Sequence, residues 1–216
     1  MNGVVLSRSR CFFCVSLVAI VALTGCSGGS DDGGKAQGGT AEKGSIGTAA
    51  ALKLGAVNLE AVGAPPAVDK KTKAALLAGA QTYVDNAVYE PLTSGKVGTK
   101  YGELFEPSIR QAATVTDAPA MTETSVGKVE EYKATSTPVA VSGLADAMGG
   151  IVYLSTNFDV NVKATTAAGP LTIARTVELT WAPTGKTWSV TAYRTAATHK
   201  LPKSTTTTTA SSGSTS

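Results

Sequence analysis

Apolar residues recur every three or four positions from Asp69 to about Glu90, which predicts an amphipathic helix. The apolar positions are Ala74, Leu77, Ala80, Val84, Ala87 and Val88. Asp69 is suited to cap the first turn, and Pro91 is expected to end the helix because it lacks a backbone N–H. The pattern then predicts two short helices, over 101–105 and 108–113.

Beyond Lys128 the apolar period falls to two, which is typical of strands with one buried face. Strands are predicted over 133–142, 152–162, 171–182 and 187–196. Pro138 makes the first of these an edge strand or a bulged strand. Upstream of the helices, a sparse apolar series from Leu52 to Val62 indicates either a short edge strand or an extended arm.

The final two strands are expected to form a hairpin through residues 183–186, a four-residue connection. Pairing Ala182 with Thr187 sets Trp181 opposite Trp188 and gathers the aromatic and aliphatic side chains on one face. A cross-strand tryptophan pair more often packs in a core or reinforces a sheet than stacks on a ligand. The same register fixes every pair farther along the hairpin.

Continued along the hairpin, this register places Arg175 directly opposite Arg194, both in phase with the core face. Like charges in facing positions destabilise a sheet, and a buried unpaired guanidinium costs far more. One explanation is that both side chains reach the rim, where they meet water or pair with carboxylates such as Glu103 or Glu106. A second explanation is a β-bulge that breaks the assumed register.

Helices followed by an antiparallel meander predict an α+β fold in which the helices cap a curved sheet. The order of elements from Asp69 to His199 resembles the NTF2-like superfamily. That resemblance implies a cone with a pocket between helices and sheet. It rests on architecture without a diagnostic motif, and a cystatin-like or other α+β roll would give much the same pattern. The pocket supplies a third explanation of the arginines: Arg175 and Arg194 would line its mouth and bind an anionic ligand, with Phe158 and Tyr101 as apolar walls.

The first 25 residues have the pattern of an export signal. Arg8 and Arg10 precede an apolar run over 12–23, which is shorter than the roughly 20 residues that a membrane-spanning helix needs. The run leads into Leu-Thr-Gly-Cys at 23–26, which resembles the lipobox of bacterial lipoproteins. This resemblance implies that Cys26 is lipidated and becomes the first residue of a chain anchored at the extracytoplasmic face of the cell membrane. Two acyl chains suffice for stable anchoring; a signal peptide cleaved elsewhere is the alternative.

Composition divides the rest of the chain. The segment 26–66 is expected to be the lipidated N-terminus and a flexible tether rich in glycine and serine. The α+β domain is expected over 67–200, and 201–216 is expected to be a disordered tail rich in serine and threonine. This layout is similar to that of small NTF2-like lipoproteins of actinobacteria.

Charge and cysteine content exclude several kinds of site. Without the leader, 17 basic residues remain against 16 acidic ones, with no basic patch to indicate nucleic-acid binding. Cys11 and Cys14 fall in the leader and Cys26 is the expected lipid site, so no cysteine is left for a disulfide or a metal. The domain is therefore expected to depend on its hydrophobic core.

The candidate catalytic residues are few. His199 is the single histidine and lies at the end of the last strand, so it is not expected deep inside a pocket. Tyr83, Asp85, Tyr101 and Tyr153 could form an acid–base set, but each has a simpler role on a helix surface or in packing. No catalytic-triad order, phosphate-binding loop, dinucleotide fingerprint or metalloprotease motif is present in the sequence.

The sequence therefore predicts a membrane-anchored envelope lipoprotein with a ligand-binding or accessory domain, no enzyme activity and no cofactor. A structural protein is the alternative, which would dock a membrane complex or form a homodimer through its sheet. An NTF2-like enzyme is the third hypothesis.

Overall fold

The computed structural model describes residues 46–61 and 63–201, which form an α+β domain around a mixed sheet of seven strands. The strands are β1 (Gly47–Thr48), β2 (Leu54–Ala61), β3 (Glu131–Ser136), β4 (Val139–Ala145), β5 (Ile151–Thr166), β6 (Gly169–Thr184) and β7 (Thr187–Lys200). The helices lie between β2 and β3 and are α1 (Lys70–Val84), α2 (Glu90–Ser94), α3 (Pro107–Gln111) and α4 (Ala118–Met121). The α+β class is as predicted, although two short strands precede the helices.

The meander predicted for the second half of the domain is confirmed. β3 and β4 both run antiparallel to β5, β6 pairs with β5, and β7 pairs with β6. The register along β5 shifts by one residue between the pairs Ser136–Val160 and Ala140–Asn157, so β3 and β4 together form one bulged strand. Pro138 lies at this bulge, as expected for a residue that cannot donate to a ladder.

The sheet differs from the prediction at its edge. β1 pairs parallel with β3, and β2 pairs parallel with β4, so the sheet is mixed rather than wholly antiparallel. The apolar series from Leu52 onward is thus an edge strand. Both strands lie within the segment 26–66, so the sheet includes residues that precede position 67.

The first long helix begins as predicted and ends later than predicted. The Asp69 carboxylate accepts hydrogen bonds from the backbone N–H of Thr72 and from its hydroxyl, both at 2.8 Å. Pro91 does not end the helix, because a π-helical segment (Asp85–Tyr89) precedes it and the chain continues as α2 to Ser94. Such an insertion leaves carbonyl oxygens without a helical donor.

The hairpin between β6 and β7 is tighter than predicted. Thr184 pairs with Thr187, so the connection is the two-residue turn Gly185–Lys186 rather than four residues. Gly185 has φ +63°, the left-handed conformation that such turns require and that glycine adopts without strain. Consequently Trp188 pairs with Pro183, and the predicted tryptophan pair is wrong.

The register of the hairpin also differs from the prediction, so the two arginines do not face each other. The register shifts between Thr180 and Trp181, which is the β-bulge proposed as one explanation of the charge conflict. Beyond the bulge Arg175 pairs with Ala197, whereas Arg194 pairs with Glu178. Since a shift of one residue exchanges the two faces of a strand, the arginines lie on opposite sides of the sheet.

The core lies between the helices and the inner face of the sheet. Leu76, Ala80, Tyr83 and Val84 of α1 are fully buried, and Leu154, Ile173, Val177 and Leu179 are buried on the strands. The Trp181 indole N–H donates to the Thr156 hydroxyl at 3.0 Å inside this core. A chain of ring contacts links Tyr83, Tyr101, Phe105 and Tyr193, with centroids 5.1–6.1 Å apart.

Candidate functional site

Arg175 is the largest fully buried side chain among the described residues, with 2% of its surface exposed. It occupies an inward position of β6, between the inward Ile173 and Val177. A guanidinium in such surroundings is costly unless every donor is satisfied and the charge is paired. The local structure must therefore supply both a carboxylate and several acceptors.

Glu123 supplies the carboxylate, and it is 0% exposed. It follows α4 by two residues, and its backbone N–H donates to the Ala87 carbonyl at 2.9 Å. Ala87 lies four residues before Pro91, so its carbonyl is the one that a regular helix would have bonded to the missing proline N–H. The proline inside the helix thus provides an acceptor that holds Glu123 in place.

The guanidinium is bonded through all three nitrogens. Arg175 Nε donates to Glu123 Oε1 at 2.7 Å, and Nη2 lies 2.6 Å from the same oxygen. Nη1 donates to the Ala120 carbonyl at 2.8 Å and to the Tyr83 hydroxyl at 3.4 Å, while Nη2 also donates to the Thr122 carbonyl at 3.2 Å. These five contacts match the five N–H groups of arginine. In residues 46–61 and 63–201, no buried side-chain nitrogen or oxygen lacks a partner.

Tyr83 closes the network from the helical side. Its hydroxyl donates to the Met121 carbonyl at 2.6 Å. Burial raises the pKa of Tyr83 to about 12, although the nearby Arg175 charge opposes this shift. Burial also works against the charge of Arg175, yet Tyr83 and Glu123 outweigh it and the pKa of Arg175 is raised. The tyrosine stays neutral and the arginine stays cationic at ordinary pH.

His199 connects this buried pair to the surface. Its Nε2 lies 2.7 Å from Glu123 Oε2, the oxygen that Arg175 leaves free, and 35% of its side chain is exposed. A carboxylate that is paired with arginine acts as an acceptor, so Nε2 is the donor in this contact. The neutral imidazole then carries its lone pair on Nδ1, and the protonated imidazole is a cation with a donor at Nδ1.

The imidazole lines a surface cleft of about 460 Å³. The residues around the cleft are Ser125, Val126, Lys128, Thr166, Ala167, Ala168, Leu171, His199 and Leu201. Most of these residues have small or aliphatic side chains, and the ionisable ones are Lys128 and His199. It therefore combines apolar surface with a few polar groups, as small-molecule sites do.

A second cleft, of about 490 Å³, lies at the start of α1. Asp69, Lys71, Lys186 and Trp188 are among its lining residues. Both Asp69 oxygens accept hydrogen bonds from Thr72, and none of the charged residues that line this cleft is buried. We regard the His199 cleft as the stronger candidate because a buried ion pair orients its histidine.

The four residues predicted to bind an anion are not brought together. Arg175 is buried and fully bonded, while Arg194 is exposed on the opposite face. Phe158 is a core residue, 1% exposed, that pairs with Val177 across the sheet. Tyr101 is also buried, and its hydroxyl donates to the Ala113 carbonyl at 3.0 Å. The expected carboxylates Glu103 and Glu106 do not pair with Arg175, and Cys26 lies outside the described residues.

The sequence did not indicate the pairing of Glu123 with Arg175 or with His199. Glu123 lies outside any regular element, so no periodicity assigns it a face. The position of His199 could have been inferred from the strand register. With the bulge taken into account, His199 pairs with Ile173, an inward position two residues from Arg175. A correct register for β7 would have placed the imidazole beside the buried arginine.

The chain matches no family model, no curated protein and no solved structure. None of the helices in the described part is long and apolar enough to cross a membrane. Across the same residues, no group of three or more His, Cys, Asp or Glu side chains is placed to hold a metal ion.

Proposed function

We propose that this protein is a lipid-anchored envelope protein whose α+β domain binds a small ligand in the His199 cleft without catalysing a reaction. The anchoring part rests on the sequence, where an Arg-bearing start and a short apolar run precede Cys26. Anchoring at Cys26 would hold the domain at the extracytoplasmic face of the membrane. The binding part rests on the cleft.

One observation carries the ligand-binding proposal: His199 faces a cleft of about 460 Å³ while its Nε2 is fixed 2.7 Å from a fully buried carboxylate. The contact between Nε2 and Glu123 orients the imidazole ring and leaves Nδ1 for a further contact. A cleft with small aliphatic walls around such a group has the character of a binding site.

The non-catalytic part of the proposal is supported by the state of Glu123. Both of its oxygens are engaged, one by Arg175 and one by His199, and its side chain is inaccessible. A general acid or base must reach the proton that it transfers. Glu123 is arranged as a support for His199 rather than as a group that meets a substrate.

We also infer that the domain is a member of the NTF2-like architecture. The support is the order of elements, in which α1 to α4 precede an antiparallel meander of β3 to β7 and cover one face of it. The parallel strands β1 and β2 would be an addition at the edge of that plan.

The single histidine allows a direct test of ligand binding. The imidazole carbon-bound proton signals of the ¹³C-labelled chain would be followed by NMR while mixtures of small carboxylic acids, amides, amines and sugars are added. Compounds that shift the His199 signals and leave the Trp188 indole signal unchanged would support binding in the His199 cleft. If no compound shifts His199, or if every shift also appears at Trp188, the ligand-binding proposal fails.

A structural role is the second candidate, and exposed apolar residues on one hairpin favour it. Leu144, Val152 and Tyr153 are between 36% and 47% exposed, and Met148 in the turn between β4 and β5 is 96% exposed. Clustered apolar residues at a surface are typical of association sites. Sedimentation of the chain and of a Leu144→Ser, Met148→Ser variant would test this: a dimer that the variant loses supports self-association, and a monomer in both cases opposes it.

A further inference from the structure

The cleft beside His199 has an uneven charge distribution. Among its lining residues Lys128 and His199 are ionisable and none is acidic. The imidazole contacts Glu123, which is also paired with Arg175. The buried Glu123–Arg175 pair contributes no net charge. Tyr83 on α1 is neutral, because burial raises its pKa to about 12. When His199 is protonated, the cleft therefore presents two cationic groups to a ligand.

The remaining walls of the cleft favour hydrocarbon. Val126, Leu171 and Leu201 line it together with Ala167 and Ala168. Leu201 is 61% exposed, so much of its apolar surface faces water. Covering such surface stabilises a complex in proportion to the apolar area removed from water. A ligand with a short apolar body would gain from these walls, whereas a bare inorganic anion would not.

We propose that the His199 cleft takes a small monoanion with a short aliphatic body, namely a carboxylate that pairs with Lys128 and the protonated imidazole of His199. This inference rests on the proposed ligand-binding function and specifies the class of ligand. The carboxylate meets the two cationic groups, and the aliphatic part lies against the leucine and valine side chains.

Glu123 makes this arrangement possible. Its hydrogen bond to Nε2 fixes the ring, so that Nδ1 remains for a contact with the ligand.

Three ligands of equal length separate the effect of charge from the effect of size. Hexanoate, hexanamide and hexylamine would each be titrated into the full chain while the His199 NMR signals are recorded. We expect hexanoate to bind at least about fivefold more tightly than hexanamide, in keeping with charge-assisted hydrogen bonds. Hexylamine should leave the signals unchanged. Equal shifts from hexanoate and hexanamide would overturn the carboxylate assignment and leave ligand binding intact, whereas no shift from any of the three would count against both.

Acetate and inorganic phosphate test the contribution of the apolar walls. Both are anions that lack the aliphatic body, so we expect them to bind at least about threefold more weakly than hexanoate. Binding of either with the affinity of hexanoate would remove the apolar part of the proposal.

Lys128→Gln provides the test by mutation, since Lys128 is exposed and its replacement should not disturb folding. Hexanoate should bind about three- to tenfold more weakly to this variant, and Lys128→Arg should restore most of the loss. Lys186→Gln is the matched control because Lys186 lines the other cleft. A loss of affinity that is equal in the Lys128 and Lys186 variants would reflect the general charge of the protein and would contradict a contact with Lys128.

Discussion

Arg175 and Glu123 lie 52 residues apart in sequence and meet in the core, where Arg175 Nε donates to Glu123 Oε1 at 2.7 Å. Neither side chain is more than 1% exposed. The pair joins β6 to the segment that follows α4. Each side chain compensates the charge of the other, so removing one partner leaves the other as an uncompensated buried charge.

We therefore expect Glu123→Gln to lower the free energy of unfolding by about 3 kcal/mol, since the substitution keeps the shape and removes the charge opposite Arg175. Urea denaturation at neutral pH measures this loss. Glu130→Gln is the control, because Glu130 is exposed and its replacement should change stability by less than about 0.5 kcal/mol. Equal losses in the two variants would show that the buried pair does not stabilise the fold.

The pairing itself is tested by a double-mutant cycle. Glu123→Leu and Arg175→Met each leave one unpaired group, whereas the double variant leaves neither charge. The double variant should therefore lose less stability than the sum of the single losses, by about 2 kcal/mol or more. Additive losses would mean that the two residues act independently.

The alternation of apolar and polar residues predicted the positions of the strands well, but it predicted their pairing register poorly. Each strand of the meander is present near its expected position because a period of two directly reports which residues face the core. The register of β6 and β7 was wrong because it depends on the turn Gly185–Lys186 and on the bulge at Trp181, and neither changes the alternation strongly. The conflict between Arg175 and Arg194 was the one sequence signal that the register needed correction.

A second prediction concerns stability at high pH. Burial raises the pKa of Tyr83 to about 12 from an ordinary value of 10.0, so the folded state favours the neutral phenol. This contribution is fully present below pH 10, the unfolded value, and is lost as the pH rises through about 12. Its size is roughly 2–3 kcal/mol for two pH units. We expect stability to fall steeply over this range.

Tyr83→Phe should make that fall shallower. It should also cost about 1–2 kcal/mol at neutral pH, since the Met121 carbonyl loses its donor at 2.6 Å. Some decline will remain because burial also raises the pKa of Tyr89 and of Tyr193 to about 12. Urea denaturation between pH 8 and pH 12 gives both effects, with Tyr153→Phe as an exposed control. An unchanged slope in the Tyr83 variant would contradict the assignment.

A third prediction concerns Gly79, which lies inside α1 and has ordinary helical geometry. Replacing a helical glycine by alanine usually stabilises a protein by about 0.5–1 kcal/mol. Here a Cβ at Gly79 would collide with the Trp181 ring, approaching its Cζ3 atom at 2.9 Å and Cη2 more closely still. We expect Gly79→Ala to destabilise the fold by about 1–3 kcal/mol, because the indole is buried and is held by its hydrogen bond to Thr156.

Gly102→Ala is the matched control for this effect. A Cβ at Gly102 would meet the Thr114 methyl group at 3.5 Å, an ordinary contact. Its thermal unfolding temperature should be unchanged or slightly raised, whereas that of Gly79→Ala should fall. A rise in both variants would show that α1 and the Trp181 strand are not packed as closely as described.

The candidate site illustrates what periodicity alone does not reveal. Pro91 was expected to end the helix because it removes a hydrogen bond, and the same missing N–H instead leaves the Ala87 carbonyl to hold Glu123. The position of Glu123 thus depends on a π-helical segment and on a contact between residues 36 positions apart, from 87 to 123. Interactions of this kind follow from the packed structure and are not local properties of the sequence.

The last prediction concerns anchoring at Cys26. The full chain expressed in a bacterium that lipidates such signals should fractionate with membranes, and its intact mass should correspond to an acylated chain that begins at Cys26. Cys26→Ser removes the thiol that would carry the lipid, so this variant should lose the acyl mass and leave the membrane fraction. Cys14→Ser is the control, because Cys14 falls within the predicted leader and should be absent from the mature protein. A Cys26→Ser variant that stays with the membranes, or a mature chain that begins elsewhere, would contradict lipid anchoring without affecting the ligand-binding proposal, which depends on the His199 cleft alone.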